Sequence, residues 1–310
     1  MRAGDILEAI GETPLVGIQR LSPRPGVMLW AKLEGQNPTG SLKDRIALRM
    51  IEAAEAEGTL RPGKVILEPT SGNTGISLAM VASRKGYGLS VVIPENASEE
   101  RVRLLELFGA EIVFTPGDKG TNGAIEVAER MARDDKYFMP FQYGNPANPQ
   151  AHYDGTGAEI VRDLPEVTHF VAGLGTGGTL TGAGHRLKEH NADIKVIAAE
   201  PELGELVYGL RSLDEGFIPP ILDESVLDAK FLVSSGDALR ATRDLTKEEG
   251  IFAGLSSGAV LHVARRVAER LDAGNVVCLL ADGGWKYLST EAWSPDLDLA
   301  RKQVEETLWW

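Results

Sequence analysis

The chain has 310 residues, 43% hydrophobic and 25% charged, enough apolar material for one large domain or two ordinary ones around a sizeable core. Its formal net charge of −13 argues against a nucleic-acid groove or an anionic membrane surface as partner, though a local basic pocket for a small anion stays open. The lone cysteine, Cys278, excludes an intrachain disulfide; with no charged-then-apolar leader and no run of transmembrane length, a reducing, cytoplasmic setting is expected.

The first informative stretch is Asn37-Pro38-Thr39-Gly40-Ser41-Leu42-Lys43-Asp44-Arg45. Lys43 stands at a Gly-Ser turn where a helical run begins, with Ile46, Met50, Ile51 and Ala54 on one face. The first turn of a helix carries partial positive charge and disfavours an ammonium. A neutral amine is what a Schiff base to an aldehyde requires. Taken alone, Lys43 reads as a solvated lysine at a helix start; the rest of the chain reverses that reading. The following acidic run, Glu52 to Glu57, reads as a solvated helix face.

Strand-like runs then alternate with helical ones. Val65–Leu67 precedes a helix over 74–85, Leu89–Ile93 one over 98–108, and Glu111–Phe114 one over 121–133. The segment Tyr143-Gly144-Asn145-Pro146-Ala147-Asn148-Pro149 breaks the pattern and marks a crossover between two α/β domains. Beyond it His169–Ala172 precedes a helix over 179–188, and Val276–Ala281 closes the series. This alternation predicts parallel sheets covered by helices on both faces. Residues 204–220, rich in glycine and proline, read as an irregular loop of functional or mobile kind.

Three Gly/Ser/Thr clusters sit where an apolar strand is expected to hand over to a helix: Pro69 to Gly75, Gly173 to Thr179, and Gly254 to Gly258. Each offers backbone N–H groups and hydroxyls at a helix N-terminus, an arrangement that binds anions. In a parallel sheet such joins share the carboxyl edge of the strands, where ligands bind. The second cluster also fits the dinucleotide fingerprint Gly173-x-Gly175-x-x-Gly178, with Glu200 about 20 residues on. An NAD(P)-dependent oxidoreductase is therefore a competing reading. It leaves Lys43 and the Asn73 and Ser256 clusters unexplained, and the hydroxyls of Thr176 and Thr179 suit a terminal monophosphate better than a bridging pyrophosphate.

Asn-Pro-Thr-Gly-Ser-Leu-Lys-Asp-Arg, Pro-Thr-Ser-Gly-Asn-Thr-Gly, Gly-Thr-Gly-Gly-Thr and Gly-Leu-Ser-Ser-Gly-Ala, in this order, resemble the cysteine synthase and cystathionine β-synthase family, the tryptophan synthase β-like pyridoxal phosphate enzymes. The resemblance runs from Gly11-Glu12-Thr13-Pro14-Leu15 to Lys286-Tyr287-Leu288-Ser289-Thr290. It implies the type II pyridoxal phosphate fold: α/β, with two open, twisted, mostly parallel sheets flanked by helices. Residues 38–148 would form a smaller, mobile domain, and 1–37 with 149–310 a larger one. Lys43 would carry the pyridoxal 5'-phosphate and, once displaced by substrate, act as base for the Cα proton. Gly175, Thr176, Gly177, Gly178 and Thr179 would hold the phosphate, Asn73 the ring hydroxyl and Ser256 the pyridine nitrogen. Thr70, Ser71, Thr74 and Gln142 would bind the substrate carboxylate. A serine leaves the pyridine nitrogen unprotonated and the ring a weaker electron sink, which favours β-elimination and replacement over transamination.

Residues 200–217, 281–288 and the terminal Leu308-Trp309-Trp310 look like the actinobacterial O-phosphoserine sulfhydrylase type, which takes sulfur from the C-terminal thiocarboxylate of a small ubiquitin-like carrier protein. Arg211 would then select phosphoserine. O-acetylserine sulfhydrylase or cystathionine β-synthase chemistry is the alternative, and a binding protein that kept the fold without catalysis is a more distant one. A homodimer is implied. The tryptophan-ended tail reads either as a lid over the site or as a docked chain end. His152, His169, His185, His190 and His262 show no metal-ligand spacing, so no metal is expected. His185 and His190 read as solvated, Cys278 as a buried strand residue, and Trp30 as core or dimer interface.

Overall fold

Two separate, mostly parallel sheets arise from the alternating runs, one from residues 65–138 and the other from 15–33 together with 169–280. The structure, a computed structural model, describes residues 2–70, 72–97, 99–288, 291–294, 296, 299–300 and 302. In chain order the strands are β1 (Leu15–Ile18), β2 (Val27–Leu33), β3 (Val65–Pro69), β4 (Gly88–Pro94), β5 (Glu111–Thr115), β6 (Tyr137–Phe138), β7 (His169–Gly173), β8 (Lys195–Pro201), β9 (Ala229–Val233) and β10 (Gly274–Leu280). The helices are α1 (Lys43–Glu57), α2 (Asn73–Lys85), α3 (Glu99–Leu107), α4 (Gly120–Met131), α5 (Ala147–Ala151), α6 (Ala158–Asp163), α7 (Gly178–His190), α8 (Ser235–Glu249) and α9 (Leu255–Ala268). Among the described residues, 2–10 and 43–148 form one compact unit and 11–42 with 149–302 a second.

The first unit holds a four-stranded sheet in the order β5-β4-β3-β6, parallel throughout. Its central strands are buried on both faces, which is why Val65-Ile66-Leu67 reads as a continuous apolar run. Ile66, Val91 and Ile93 pack with Ala47 and Ile51 of α1 and Leu78 and Val81 of α2. Leu67 and Val92 point the other way, onto Ala124 and Ala128 of α4. Each fully buried aliphatic side chain contributes about 1.5–3 kcal/mol. Helix α2 stops at Gly86, whose left-handed φ of 81° lets its N–H cap the Ala82 carbonyl.

The second unit holds six strands in the order β1-β2-β10-β7-β8-β9, with β1 antiparallel to β2 and every other pair parallel. Alternate residues serve opposite faces: Val171, Ile197 and Cys278 pack under α8 and α9, and Phe170, Val196 and Val277 under α6 and α7. Burial pushes the Cys278 thiol up to about 12, so this cysteine is an inert strand residue. Trp30 packs against the second of these cores and donates its indole N–H to Asn275 Oδ1 at 3.0 Å.

The α/β class with mostly parallel sheets agrees with the sequence, and two details differ from it. Strands β1, β2, β6 and β9 and helices α5, α6 and α8 occupy stretches where no element was expected. The third glycine cluster follows α8 rather than a strand, and α9 begins at Leu255 instead of near Ala259. It still reaches the ligand edge, because the Gly254 N–H donates to the Asp282 carbonyl just past β10. No described helix is long and apolar enough to cross a membrane.

Candidate active site

In the second unit, β7 runs into the turn Gly173 to Thr179, and α7 starts directly from it. Gly177 caps α7 with φ 82°, a conformation that favours glycine, and has no side chain to engage the helix N–H groups. Close contact shapes the turn from behind. A Cβ on Gly175 would lie 2.8 Å from the Gly209 carbonyl oxygen, and one on Gly173 would run into Leu210. Thr176 and Thr179 are 8% and 9% exposed. The Thr179 hydroxyl lies 3.2 Å from His152 Nε2, and His152 Nδ1 lies 2.9 Å from Thr156 Oγ1 within a π-helical turn over His152–Gly157. His152, 1% exposed, is a contact with no signal in the sequence, since no spacing links it to Thr179.

Three helix starts in the two units, those of α2, α7 and α9, carry no acidic residue in the first turn. Aspartate or glutamate there would neutralise the positive helix end; their absence suits an external anion. The Gly173–Thr179 turn, with backbone N–H groups, two hydroxyls and close backbone approach, fits a terminal phosphate.

Glu200 is spoken for elsewhere. It is 2% exposed, and its Oε1 accepts from the Leu213 N–H at 2.7 Å and the Ser212 hydroxyl at 3.2 Å. So buried, and bonded to the 212–213 stretch, Glu200 is not an exposed acidic partner of the kind the dinucleotide reading needs. The 204–220 segment is packed in part: Val207, Tyr208, Leu210 and Leu213 are buried, and the Tyr208 ring stacks on Tyr287 at 5.8 Å. Arg211 donates its backbone N–H to the Leu174 carbonyl at 2.7 Å, which ties it to the phosphate-fitting turn, and its guanidinium lies 4.8 Å from the Phe217 ring centre.

Ser256 is the second residue of α9 and 5% exposed. Gly254, which caps that helix, packs so closely on Asp282 that any side chain would collide with the carboxylate. Asp282 in turn accepts from the Tyr287 hydroxyl at 2.7 Å.

The segment leading to Lys43 is held by a buried polar network. Asn37 Oδ1 accepts from the Gly11 N–H at 2.8 Å, and Asn37 Nδ2 donates to Glu34 Oε2 at 2.9 Å. Glu34 Oε1 takes the Thr13 hydroxyl at 2.8 Å. Lys32, fully buried, pairs with Glu159 at 2.6 Å. This explains chemically why Gly11-Glu12-Thr13 accompanies the lysine segment. Leu42 donates to the Ala281 carbonyl at 2.9 Å, one residue before Lys43.

In the first unit, Lys43 is the first residue of α1 and half-buried, and Asn73 is the first residue of α2. Thr70 and Thr74 are buried at the carboxyl end of β3, and the Thr74 hydroxyl donates to Gln142 Oε1 at 2.7 Å. Gln142 belongs to a turn after β6 in which Phe141 has a φ of 53°. Glu68 accepts from both amides of that turn, and burial pushes its carboxyl up to about 7 against the pull of those two N–H groups. Each unit therefore collects its share of the expected site at the carboxyl ends of its own parallel strands: Thr70, Asn73, Thr74 and Gln142 in one, Gly175–Thr179, Arg211 and Ser256 in the other. Ser71 and the Leu308-Trp309-Trp310 tail lie outside the described residues. His185 Nε2 lies 2.9 Å from Asp223 at the surface. Among the described residues no group of three or more His, Cys, Asp or Glu is placed to hold a metal.

The family model for pyridoxal-phosphate dependent enzymes matches residues 6–282. Over 300 residues the chain is 46% identical to the probable cysteine synthase of Bacillus subtilis (strain 168), covering 93% of this chain and 96% of that protein. Among solved structures, O-ureido-L-serine synthase is 38% identical with a TM-score of 0.90, over 96% of this chain and 97% of the other. The cysteine synthase (OASS) of Entamoeba histolytica is 34% identical with a TM-score of 0.91, over 99% and 96%.

Proposed function

The chain belongs to the family of pyridoxal-phosphate dependent enzymes, and we propose that it forms L-cysteine by β-replacement on O-phospho-L-serine. The sulfur comes from sulfide or from the thiocarboxylate of a small ubiquitin-like carrier protein. In this reading the enzyme is a cytoplasmic homodimer whose smaller, mobile domain spans 38–148. The observation that carries the choice of substrate is Arg211, a cation fixed through its main chain to the turn that fits a phosphate.

The residues divide the work by chemistry. Gly175, Thr176, Gly177, Gly178 and Thr179 hold the cofactor phosphate through N–H and hydroxyl donors. Asn73 would take the ring hydroxyl, Ser256 the pyridine nitrogen, and Lys43 the aldehyde carbon. Bound pyridoxal phosphate supplies the electron sink that lets bonds at the amino acid's Cα and Cβ break. Thr70, Ser71, Thr74 and Gln142 bind the substrate carboxylate. Gln142 spends its oxygen on Thr74, which leaves its Nε2 hydrogens as donors for a carboxylate. Lys43 Nζ, once displaced by the substrate's amine, would take the Cα proton. Arg211 meets the leaving phosphate, where a charge-assisted hydrogen bond contributes about 1.5–3 kcal/mol.

A second reading keeps every role except that of Arg211: O-acetyl-L-serine as the substrate, supported by the similarity to the Entamoeba cysteine synthase over 99% of the chain. Turnover of both substrates with sulfide separates the two. Arg211→Ala is expected to lower kcat/KM for O-phospho-L-serine about 10- to 100-fold and to leave O-acetyl-L-serine nearly unchanged. Equal losses on both substrates would make Arg211 structural and leave the acetyl reading standing.

A further inference from the structure

Glu68 lies on β3, two residues before Thr70, and is 1% exposed. A strand covered on both faces is apolar at most positions, and a carboxylate inside it is costly unless fully hydrogen-bonded. Its two oxygens go to consecutive amides: Phe141 N–H donates to Oε2 at 2.9 Å and Gln142 N–H to Oε1 at 3.1 Å. Phe141 has a φ of 53°, a left-handed conformation that a bulky side chain keeps only when its surroundings enforce it. Gln142 is gripped from the other side too, since Asn148 Nδ2 donates to its carbonyl at 2.8 Å. With the main chain fixed in this way, the Gln142 side chain meets the Thr74 hydroxyl at 2.7 Å.

We propose that Glu68 is a positioning residue for the amino-acid substrate: by holding the left-handed Phe141 and the Gln142 amide, it aims Gln142 Nε2 at the substrate carboxylate. The inference rests on the reading above, in which Thr74 and Gln142 bind that carboxylate. It explains why the position is an acid. A carboxylate offers two acceptor oxygens to two N–H groups. Glutamine of the same size offers one, and turns its own NH2 against the second amide.

The test uses the holoenzyme with O-acetyl-L-serine and O-phospho-L-serine as probes. Compared are wild type, Glu68→Gln, Glu68→Gln combined with Phe141→Gly, and Gln142→Ala. Glu68→Gln is expected to raise KM for both substrates about tenfold, the worth of one hydrogen bond, and to leave kcat within about twofold. The visible absorption of the bound cofactor stays as in wild type. Phe141→Gly in that background restores most of the affinity, because glycine holds a positive φ unaided. A purely structural Glu68 would lower stability without this KM-against-kcat split and without rescue, and that result overturns the inference. If Gln142→Ala raises KM while Glu68→Gln does not, the site reading survives and this inference fails. If neither raises KM, the placement of the substrate carboxylate fails first and takes the inference with it. Should Glu68→Gln be too unstable to purify, Asn148→Ala releases the other side of Gln142 and must raise KM likewise; an unchanged KM there also overturns the inference.

Discussion

The turn after β7 and the turn after β3 both hand a buried parallel strand to a helix, yet they are kept in shape by different forces. Gly173 to Thr179 is shaped by contact: glycines backed by Gly209 and Leu210, with no room for a Cβ and no charge within the turn. Beside the turn after β3, the turn after β6 is held by hydrogen bonds to a titratable group: Phe141 and Gln142 donate their N–H groups to Glu68, the Thr74 hydroxyl reaches Gln142, and Phe141 sits at a φ of 53°. Contact is indifferent to pH and gives way only when the chain is forced apart. A buried carboxylate titrates, and is costly to keep ionised. In the proposed reading, the cofactor phosphate would rest on the contact-held turn, and the substrate carboxylate on one held by a titratable group.

Lys43→Ala touches neither turn and removes the amine proposed to hold the cofactor, so turnover is expected to fall by about three orders of magnitude or more. The visible absorption of the purified protein is expected to go with it, while circular dichroism stays as in wild type. Full turnover in that variant would remove Lys43 from the chemistry.

Gly175→Ala attacks the rigid turn. The added Cβ meets a backbone oxygen at 2.8 Å and not a movable side chain. Such overpacking costs about 1–3 kcal/mol. Titration of the cofactor-free protein with pyridoxal phosphate is expected to show about 5- to 100-fold weaker binding. The amino-acid KM of the loaded enzyme stays close to wild type. A KM that rises instead would mean that the two turns are not separately held.

Glu68→Gln sharpens the other side through pH. The Glu68 carboxyl is raised from 4.5 to about 7 in the folded protein, with burial as the largest cause. Below 4.5 it is protonated in both states. Between 4.5 and 7 the unfolded chain has lost that proton and the folded chain has kept it, so this group's stabilising share is lost as pH rises through the window. The total is about 3 kcal/mol. Glutamine has nothing to titrate. The stability of Glu68→Gln relative to wild type, from denaturant melts, is therefore expected to climb from pH 4.5 to 7 and then level off. A difference that is flat with pH would place the Glu68 proton elsewhere.

Legibility followed how each residue acts. Strands buried on both faces, such as Val65–Leu67 and Val276–Leu280, announce themselves as apolar runs. Helix α8 does not, because its buried face is Ala238, Leu239, Ala241 and Leu245 spread among charges. Edge strand β9 alternates half-buried and exposed residues and includes Lys230. At the proposed site, Lys43 at a helix start and the glycine clusters stand out by residue type, while the roles of Asn73 and Ser256 rest on the resemblance. Arg211 came from resemblance alone. Glu68 and His152 act on partners far along the chain, 73 and 27 residues away. The one local sign was a carboxylate in an otherwise apolar strand, a conflict that only the turn after β6 resolves.

The most direct test of the account is where the cofactor sits. Borohydride reduction of the purified holoenzyme fixes pyridoxal phosphate to whichever amine holds it, and proteolysis with mass spectrometry then reads the position. The account predicts the added pyridoxyl mass on the peptide containing Lys43 and on no other. Its appearance on another lysine, such as Lys32 or Lys286, or on none, would contradict the assignment from which every other role is derived.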